Sequence, residues 1–436
     1  MATSKGRKGS GKPRGKGRAA KRPAVRKPEP FPIDGLVREA LAGGREILEE
    51  DDPLFAESWA SAILGAFYKP PLPFEARQEL DASIGPAIVR GAERKANREG
   101  LALLRALAAV TGDDIGAREA AERLAARGVP EPSWAAQIGT PAFVSAWAIA
   151  DPYDDLVGYS MSFRYEGRPP HTVMALYDES LGGIIKDASV GEIPAGTDPR
   201  RLLEQQDGGV RVDDLDGGVA AARIARAIAR GDLFLDNEWT VDFRETRALL
   251  LARTRLFPAA ALPETLRTLD AEAQEALAQE FLASPFAPDL AETLAIVDHC
   301  LIARCEYGAG DPLHWSPTVV ELFMLDYLPR KATLDEAQIS AVPEVLSAWV
   351  RFALTKRGLE ERWIVETEEA VAECAPELES AMGDPESFGP AKAAINAMRA
   401  AGVDLSDQKA IDAWVADLNA RPLEEREQFF EGFSGF

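Results

Sequence analysis

The chain has 436 residues, 46% of them hydrophobic, and carries 49 Lys or Arg against 71 Asp or Glu for a net charge of −22. Apolar content on this scale supports substantial buried cores, and the length suggests two or three domains. No run of about 18 apolar residues is present, so no membrane-spanning helix and no membrane partner are expected; three cysteines, Cys300, Cys305 and Cys374, are too few for a disulfide framework and suit a reducing, cytoplasmic setting.

The charge is divided sharply. Residues 1–28 hold eleven Lys or Arg and no carboxylate, which leaves 38 basic and 71 acidic residues, a net of −33, in 29–436. The segment 1–30 is rich in Gly and Pro and poor in apolar residues, so burial cannot offset its ordering entropy and disorder is expected. It lacks the apolar stretch of a secretory signal and the apolar face of a transit presequence. Its cations, Lys5, Arg7, Lys8, Lys12, Arg14, Lys16, Arg18, Lys21, Arg22, Arg26 and Lys27, are the candidate nucleic-acid contacts. Each neutralised phosphate on duplex DNA contributes a salt slope of about −0.9, so even a few contacts give steep salt dependence. Pro13-Arg14-Gly15-Lys16-Gly17-Arg18 loosely resembles the AT-hook, a minor-groove motif centred on Pro-Arg-Gly-Arg-Pro. Lys16 stands where that motif has its second Arg, and Gly17 where it has Pro. Contact with DNA or RNA is therefore expected to be electrostatic and weakly sequence-selective.

Residues 31–150 read as a helical region. Apolar spacing of three and four marks Ile33 to Glu49 and Glu57 to Tyr68. The prolines of 69–73 break the pattern. A long helix is expected from near Pro86 to Val110, and Asp114 is placed to cap another that runs to Arg127.

Residues 151–240 change character. Val157, Tyr159, Met161, Phe163 and Tyr165 alternate with polar or small residues, which predicts a strand with one buried face. Thr172 to Tyr177 and Gly183 to Val190 predict two more strands of an antiparallel meander. Helices are expected near Pro199 to Gln206 and over Val219 to Arg230.

Residues 241–383 return to helix. Ser316-Pro317 supplies a cap and a first-turn proline for Thr318 to Leu328. Thr333 and Glu336 match a capping box. Pro343 opens a helix that Gly358 closes. Residues 384–436 form a C-terminal helical module with helices over Pro390 to Ala401, Ser406 to Asn419 and Leu423 to Phe430. The expected fold is therefore α+β, predominantly α-helical, with helical regions flanking a small central antiparallel sheet.

Candidate chemistry is sparse. Carboxylates crowd the expected sheet, and Asp178, Asp187 and His171 are the candidate catalytic residues of a metal-assisted hydrolase. Asp also favours turns through local hydrogen bonds, which explains the same residues without catalysis. Asp213 to Gly218 fails as an EF-hand loop, because Val212 and Arg223 fall where oxygen ligands are required. Ser180 lacks the Gly two residues earlier that a nucleophile elbow needs. His299, Cys300, Cys305 and His314 are the candidate metal ligands, but adjacent helical positions point about 100° apart and no Cys-x-x-Cys knuckle is present. Two arginine stripes, Arg90, Arg94 and Arg98, and Arg223, Arg226 and Arg230, read as solvated helix faces. No cofactor motif is found.

Three functional readings follow. The first is a non-enzymatic interaction module whose basic tail contacts nucleic acid or another polyanion non-specifically. The second is a hydrolase with a carboxylate site near the central sheet. The third is a helical scaffold that binds a protein partner while the tail serves solubility.

Overall fold

The computed structural model describes residues 33–66, 74–112, 115–180, 182–192, 209–233, 239–258, 269–308 and 310–422. The basic tail, Asp114, the helix expected at Pro199 to Gln206 and the one at Leu423 to Phe430 lie outside the described residues.

Five helices come first: α1 (Ile33–Glu49), α2 (Pro53–Gly65), α3 (Phe74–Lys95), α4 (Arg98–Thr111) and α5 (Ala117–Ala126). The long helix expected from Pro86 to Val110 is broken in two. Ala96 adopts φ +46°, and Asn97 caps α4 by accepting the Gly100 N–H. That capping bond contributes about 1 kcal/mol, which continuous helix would forgo. The apolar faces of these helices close one core around Leu101, Leu104 and Trp134.

The sheet contains β1 (Ala142–Ala150), β2 (Leu156–Arg164), β3 (Pro170–Asp178), β4 (Ile184–Glu192) and β5 (Arg211–Leu215) in the order β4-β3-β2-β1-β5, with every pairing antiparallel. Three of these strands differ from the sequence expectation. β1 lies inside the segment read as helical, ahead of the boundary at residue 151. β5 takes Asp213 and Asp214 out of the expected turn. β2 also differs, because it is buried on both faces. Its second face carries Gly158, Ser160 and Ser162, and larger cross-strand neighbours, Trp147, Ile149 and Met174, close over them. A Cβ at Gly158 would lie 2.7 Å from Ile149 Cγ2.

Asp216 caps α6 (Gly217–Gly231), which crosses the sheet, and Thr240 caps α7 (Val241–Thr254). Both helices bury apolar residues with the sheet in a second core around Met161, Phe163, Ile224 and Leu250. α7 therefore belongs with the sheet and with α2, where Leu249 N–H donates to Ser61 Oγ at 3.0 Å.

The remaining helices are α8 (Ala271–Leu282), α9 (Thr293–Ile302), α10 (Pro317–Glu321), α11 (Leu328–Lys331), α12 (Glu336–Arg357), α13 (Glu361–Gly383), α14 (Pro390–Ala400) and α15 (Gln408–Ala420). Those from α8 to α13 close a third core around Phe281, Trp315 and Trp349. Ser316 caps α10 as expected, and Gly358 ends α12 at φ +79°. The capping box is Asp335 with Gln338, and α12 runs straight through Pro343. α9 and α10 each continue as π-helical turns, Ala303–Tyr307 and Leu322–Tyr327. No helix among the described residues is long and apolar enough to cross a membrane. The architecture is α+β and mostly helical, with one antiparallel sheet at its centre.

Candidate functional site

The β1–β2 turn, the β3–β4 turn and the start of β5 all lie at one end of the sheet, because the strands are antiparallel neighbours. α6 runs back from β5 toward that same end. A cleft of about 370 Å³ opens there between the sheet, α6 and the C-terminal helices. Small-molecule sites occupy about 300–1,000 Å³, so its size suits a ligand.

The cleft exists because β1 places alanines at every second position. Ala146, Ala148 and Ala150 are buried on the face shared with α6, whose own Ala220, Ala221 and Ala227 meet them. Ala148, Ala150, Val157, Leu215 and Ala227 form its apolar lining, with Tyr159 and Tyr177 beside them. The two tyrosine rings sit 5.8 Å apart at 60°.

Five arginines line the cleft: Arg211, Arg223, Arg226, Arg230 and Arg357. Two are committed to a carboxylate. Asp154, held at φ +67° in the β1–β2 turn, receives Arg211 at 2.7 Å and Arg357 at 2.8 Å. The turn is fixed by Asp151, whose carboxylate accepts the N–H groups of Tyr153, Asp155 and Leu156. It docks on the C-terminal helices through the Tyr153 hydroxyl, which donates to Glu366 at 2.7 Å.

Arg223 and Arg230 differ from these. Among the described residues neither has a carboxylate partner. Arg223 donates to the Tyr159 hydroxyl at 3.3 Å and its guanidinium lies over that ring, while Arg230 donates to the Gly308 carbonyl at 2.7 Å. The Nε of each is buried with no hydrogen-bond partner among the described residues. Arg230 sits in the last turn of α6, where the helix dipole favours cations. The stripe Arg223, Arg226 and Arg230 thus faces the cleft, not open solvent, while Arg90, Arg94 and Arg98 are exposed as expected.

A buried relay backs this wall. Arg304, on the first π-helical turn, donates to His314 Nδ1 at 2.9 Å and reaches Glu179 Oε1 at 3.5 Å. His314 Nδ1 therefore accepts, so its proton sits on Nε2, which lies 3.1 Å from Asp155 Oδ1. Burial pushes the Asp155 carboxyl up, but His314 and its other polar neighbours outweigh that and hold it below the ordinary range. Burial pushes the Arg304 guanidinium down, against the pull of Glu179, Asp311 and Asp155. The Tyr177 hydroxyl donates to Glu179, and burial is the main reason that phenol is pushed up. Gly308 lets Arg304 and Arg230 converge, since a Cβ there would lie 2.7 Å from Arg304 Nη1. Arg304 holds His314 through Nδ1 and so turns Nε2 toward Asp155, and the relay thereby positions the wall.

The candidate catalytic residues are not brought together. His171 begins β3 and Asp178 ends it, roughly 23 Å apart along the strand. Asp178 accepts from the Ser180 hydroxyl at 2.6 Å, and Asp187 accepts from the Thr240 hydroxyl at 2.6 Å. Nor do the candidate metal ligands converge. Cys300 is buried in the third core, His299 packs beside the Tyr327 ring, and His314 belongs to the relay. Burial pushes the Cys305 thiol up to about 11. Among the described residues no group of three or more His, Cys, Asp or Glu is placed to hold a metal.

His171 belongs to a second buried network at the other end of the sheet. Arg253 donates to Glu57 Oε1 at 3.1 Å and Oε2 at 2.6 Å, and the Tyr165 hydroxyl donates to Glu57 Oε2 at 2.6 Å. Arg253 Nη2 lies 3.2 Å from His171 Nε2, and His171 stacks on Tyr165 and Phe163. Burial, with Arg253 adding repulsion, pushes His171 down to about 3. The unfolded chain therefore binds a proton below pH ~6.5 that the folded chain refuses until pH ~3. Stability from this group is complete above the unfolded value and falls as pH drops through that window. Lowering pH from 7.5 to 5 is expected to remove about 2 kcal/mol through His171 alone. Urea midpoints at the two pH values should show that loss in the native chain and a flatter profile in His171→Phe. An unchanged profile in the variant would refute the assignment.

A scan against protein-family models, a search of curated proteins and a search of solved structures each returned no match, so the reading of this site rests on its own geometry.

Proposed function

We propose that this protein is a binding protein for an anionic small molecule held in the cleft between the sheet and α6. Arg223 and Arg230 carry the reading: two half-buried guanidinium groups that face a ligand-sized cleft without carboxylate partners among the described residues. A buried donor left unmade costs about 1–3 kcal/mol, more when charged, and an anion in the cleft would satisfy it. Calorimetric titration of the full chain with pyrophosphate and citrate tests this. At least one anion should bind saturably, and Arg223→Gln should weaken it by about tenfold, the loss of one charge-assisted hydrogen bond. Binding that ignores Arg223→Gln and Arg230→Gln, or no binding at all, would sink the proposal.

A second reading concerns the tail and is carried by the confinement of eleven cations to residues 1–28. The tail contacts nucleic acid or another polyanion non-specifically, independently of the cleft, in a body whose net charge of −33 repels such partners beyond the tail's reach. Deleting residues 1–28 should abolish DNA and RNA affinity at low salt and flatten its salt dependence. Affinity that survives the deletion would refute it. The sparse cysteines support a reducing, cytoplasmic setting for both activities.

A further inference from the structure

The cleft is asymmetric, and its asymmetry describes a ligand. Arg223, Arg226 and Arg230 stand at i, i+3 and i+7 on α6. Those positions share one helix face within about 60° and span roughly 10 Å of axis. The guanidinium groups of Arg223 and Arg230 suit an anion with three or four acceptor oxygens better than a carboxylate with two, because each has a donor left to place. Below that row the lining is flat and apolar: Ala148 and Ala150 on β1, Val157 on β2 and Ala227 on α6, with the Tyr159 and Tyr177 rings beside them. Ala146, Ala148 and Ala150 present only methyl groups on this face of β1, so a planar group can lie against the strand. At the hairpin end the character reverses. Glu179 and Asp311 line the cleft there, and the Gly310 backbone joins them. Carboxylates accept from N–H and O–H donors, so this end, where Arg230 also reaches the Gly308 carbonyl, suits a donor-bearing body.

Resting on the anion-binding reading above, we infer that the ligand is a phosphate ester with a planar, donor-bearing organic part, the chemistry of a nucleotide. The phosphate lies along the arginine row. The planar part lies on the alanine floor beside the tyrosines, and its donors face Asp311 and Glu179. The polar and apolar halves each bind weakly alone, so affinity depends on their being joined.

The test is calorimetry on the full chain in about 0.3 M salt, where the tail's charges are screened. The probes are AMP, adenosine, ribose 5-phosphate, inorganic phosphate and citrate. AMP should bind at least about tenfold tighter than any other probe. Arg223→Gln should reduce AMP affinity by about tenfold, and Ala148→Val, which raises the floor, should reduce AMP affinity while leaving phosphate binding unchanged. Far-ultraviolet dichroism matched to the native chain confirms that each variant is folded. Citrate binding tighter than AMP, with sensitivity to Arg223→Gln, would overturn the phosphate ester and leave the cleft reading standing. Ribose 5-phosphate binding as tightly as AMP would overturn the planar body. AMP binding untouched by Arg223→Gln and Arg230→Gln would overturn both this inference and the cleft reading.

Discussion

Glu57→Gln is expected to destabilise the protein by about 3–5 kcal/mol, the range measured when one member of a buried ion pair is removed. Glu57 and Arg253 are both buried, with side-chain exposures of 0% and 1%. They sit where α2, α7, β2 and β3 meet. The carboxylate also accepts from the Tyr165 hydroxyl and from the Gly139 N–H at 3.1 Å. The variant keeps an oxygen for one of these donors but leaves the Arg253 charge without its counter-ion in a medium that solvates it poorly. Arg253→Met should cost a similar amount for the mirror-image reason. The combined variant Glu57→Leu with Arg253→Met should be much closer to the native chain than either single change, because a buried pair is worth little over well-packed apolar residues. Urea unfolding midpoints of the four proteins compare these losses. Single-variant losses below about 1 kcal/mol would mean that the pair behaves as a surface salt bridge, contrary to its burial.

This pair also shows where sequence reading ends. Helix punctuation was legible in part: Ser316 and Gly358 act where local chemistry places them, whereas the capping box falls at Asp335 and Gln338 and Pro343 lies inside its helix. β2, β3 and β4 were legible through alternation. β1 was not, since Ala-Phe-Val-Ser-Ala-Trp-Ala-Ile-Ala offers the alanines of a good helix former and too few β-branched residues to oppose them. The cleft depends on that strand, so its floor went unread. Glu57 and Arg253 are 196 positions apart, and no local pattern couples them. The arginines of α6 were visible as a stripe, but periodicity says which residues share a face and nothing of what the face meets. Arg304 is hidden for a different reason. A π-helical turn adds a residue to the helix and rotates the face that a 3.6-residue period predicts.

That rotation carries the last expectation. Arg304→Met should destabilise the protein by about 2–4 kcal/mol, since Glu179 and Asp155 lose a buried cation and gain no new donor. Arg304 is 5% exposed, so water cannot replace it. A second effect follows that loss of packing alone would not produce. Arg304 donates to His314 Nδ1 and so fixes the proton on Nε2, which faces Asp155. Without that donor the imidazole is free to exchange tautomers. Nitrogen-15 shifts of His314 should therefore report one Nε2–H tautomer in the native chain and averaged tautomers in Arg304→Met. Arg304→Lys should restore part of the stability but not the tautomer order, because the lysine side chain is one atom shorter and its nitrogen stops short of the Nη2 position that meets both His314 and Glu179. Native-like His314 shifts in Arg304→Met would show that Asp155 alone orients the ring. Ordered shifts in the native chain that collapse in the variant would show that the π-helical turn sets the cleft wall, and thereby couples the C-terminal helices to whatever binds at the end of the sheet.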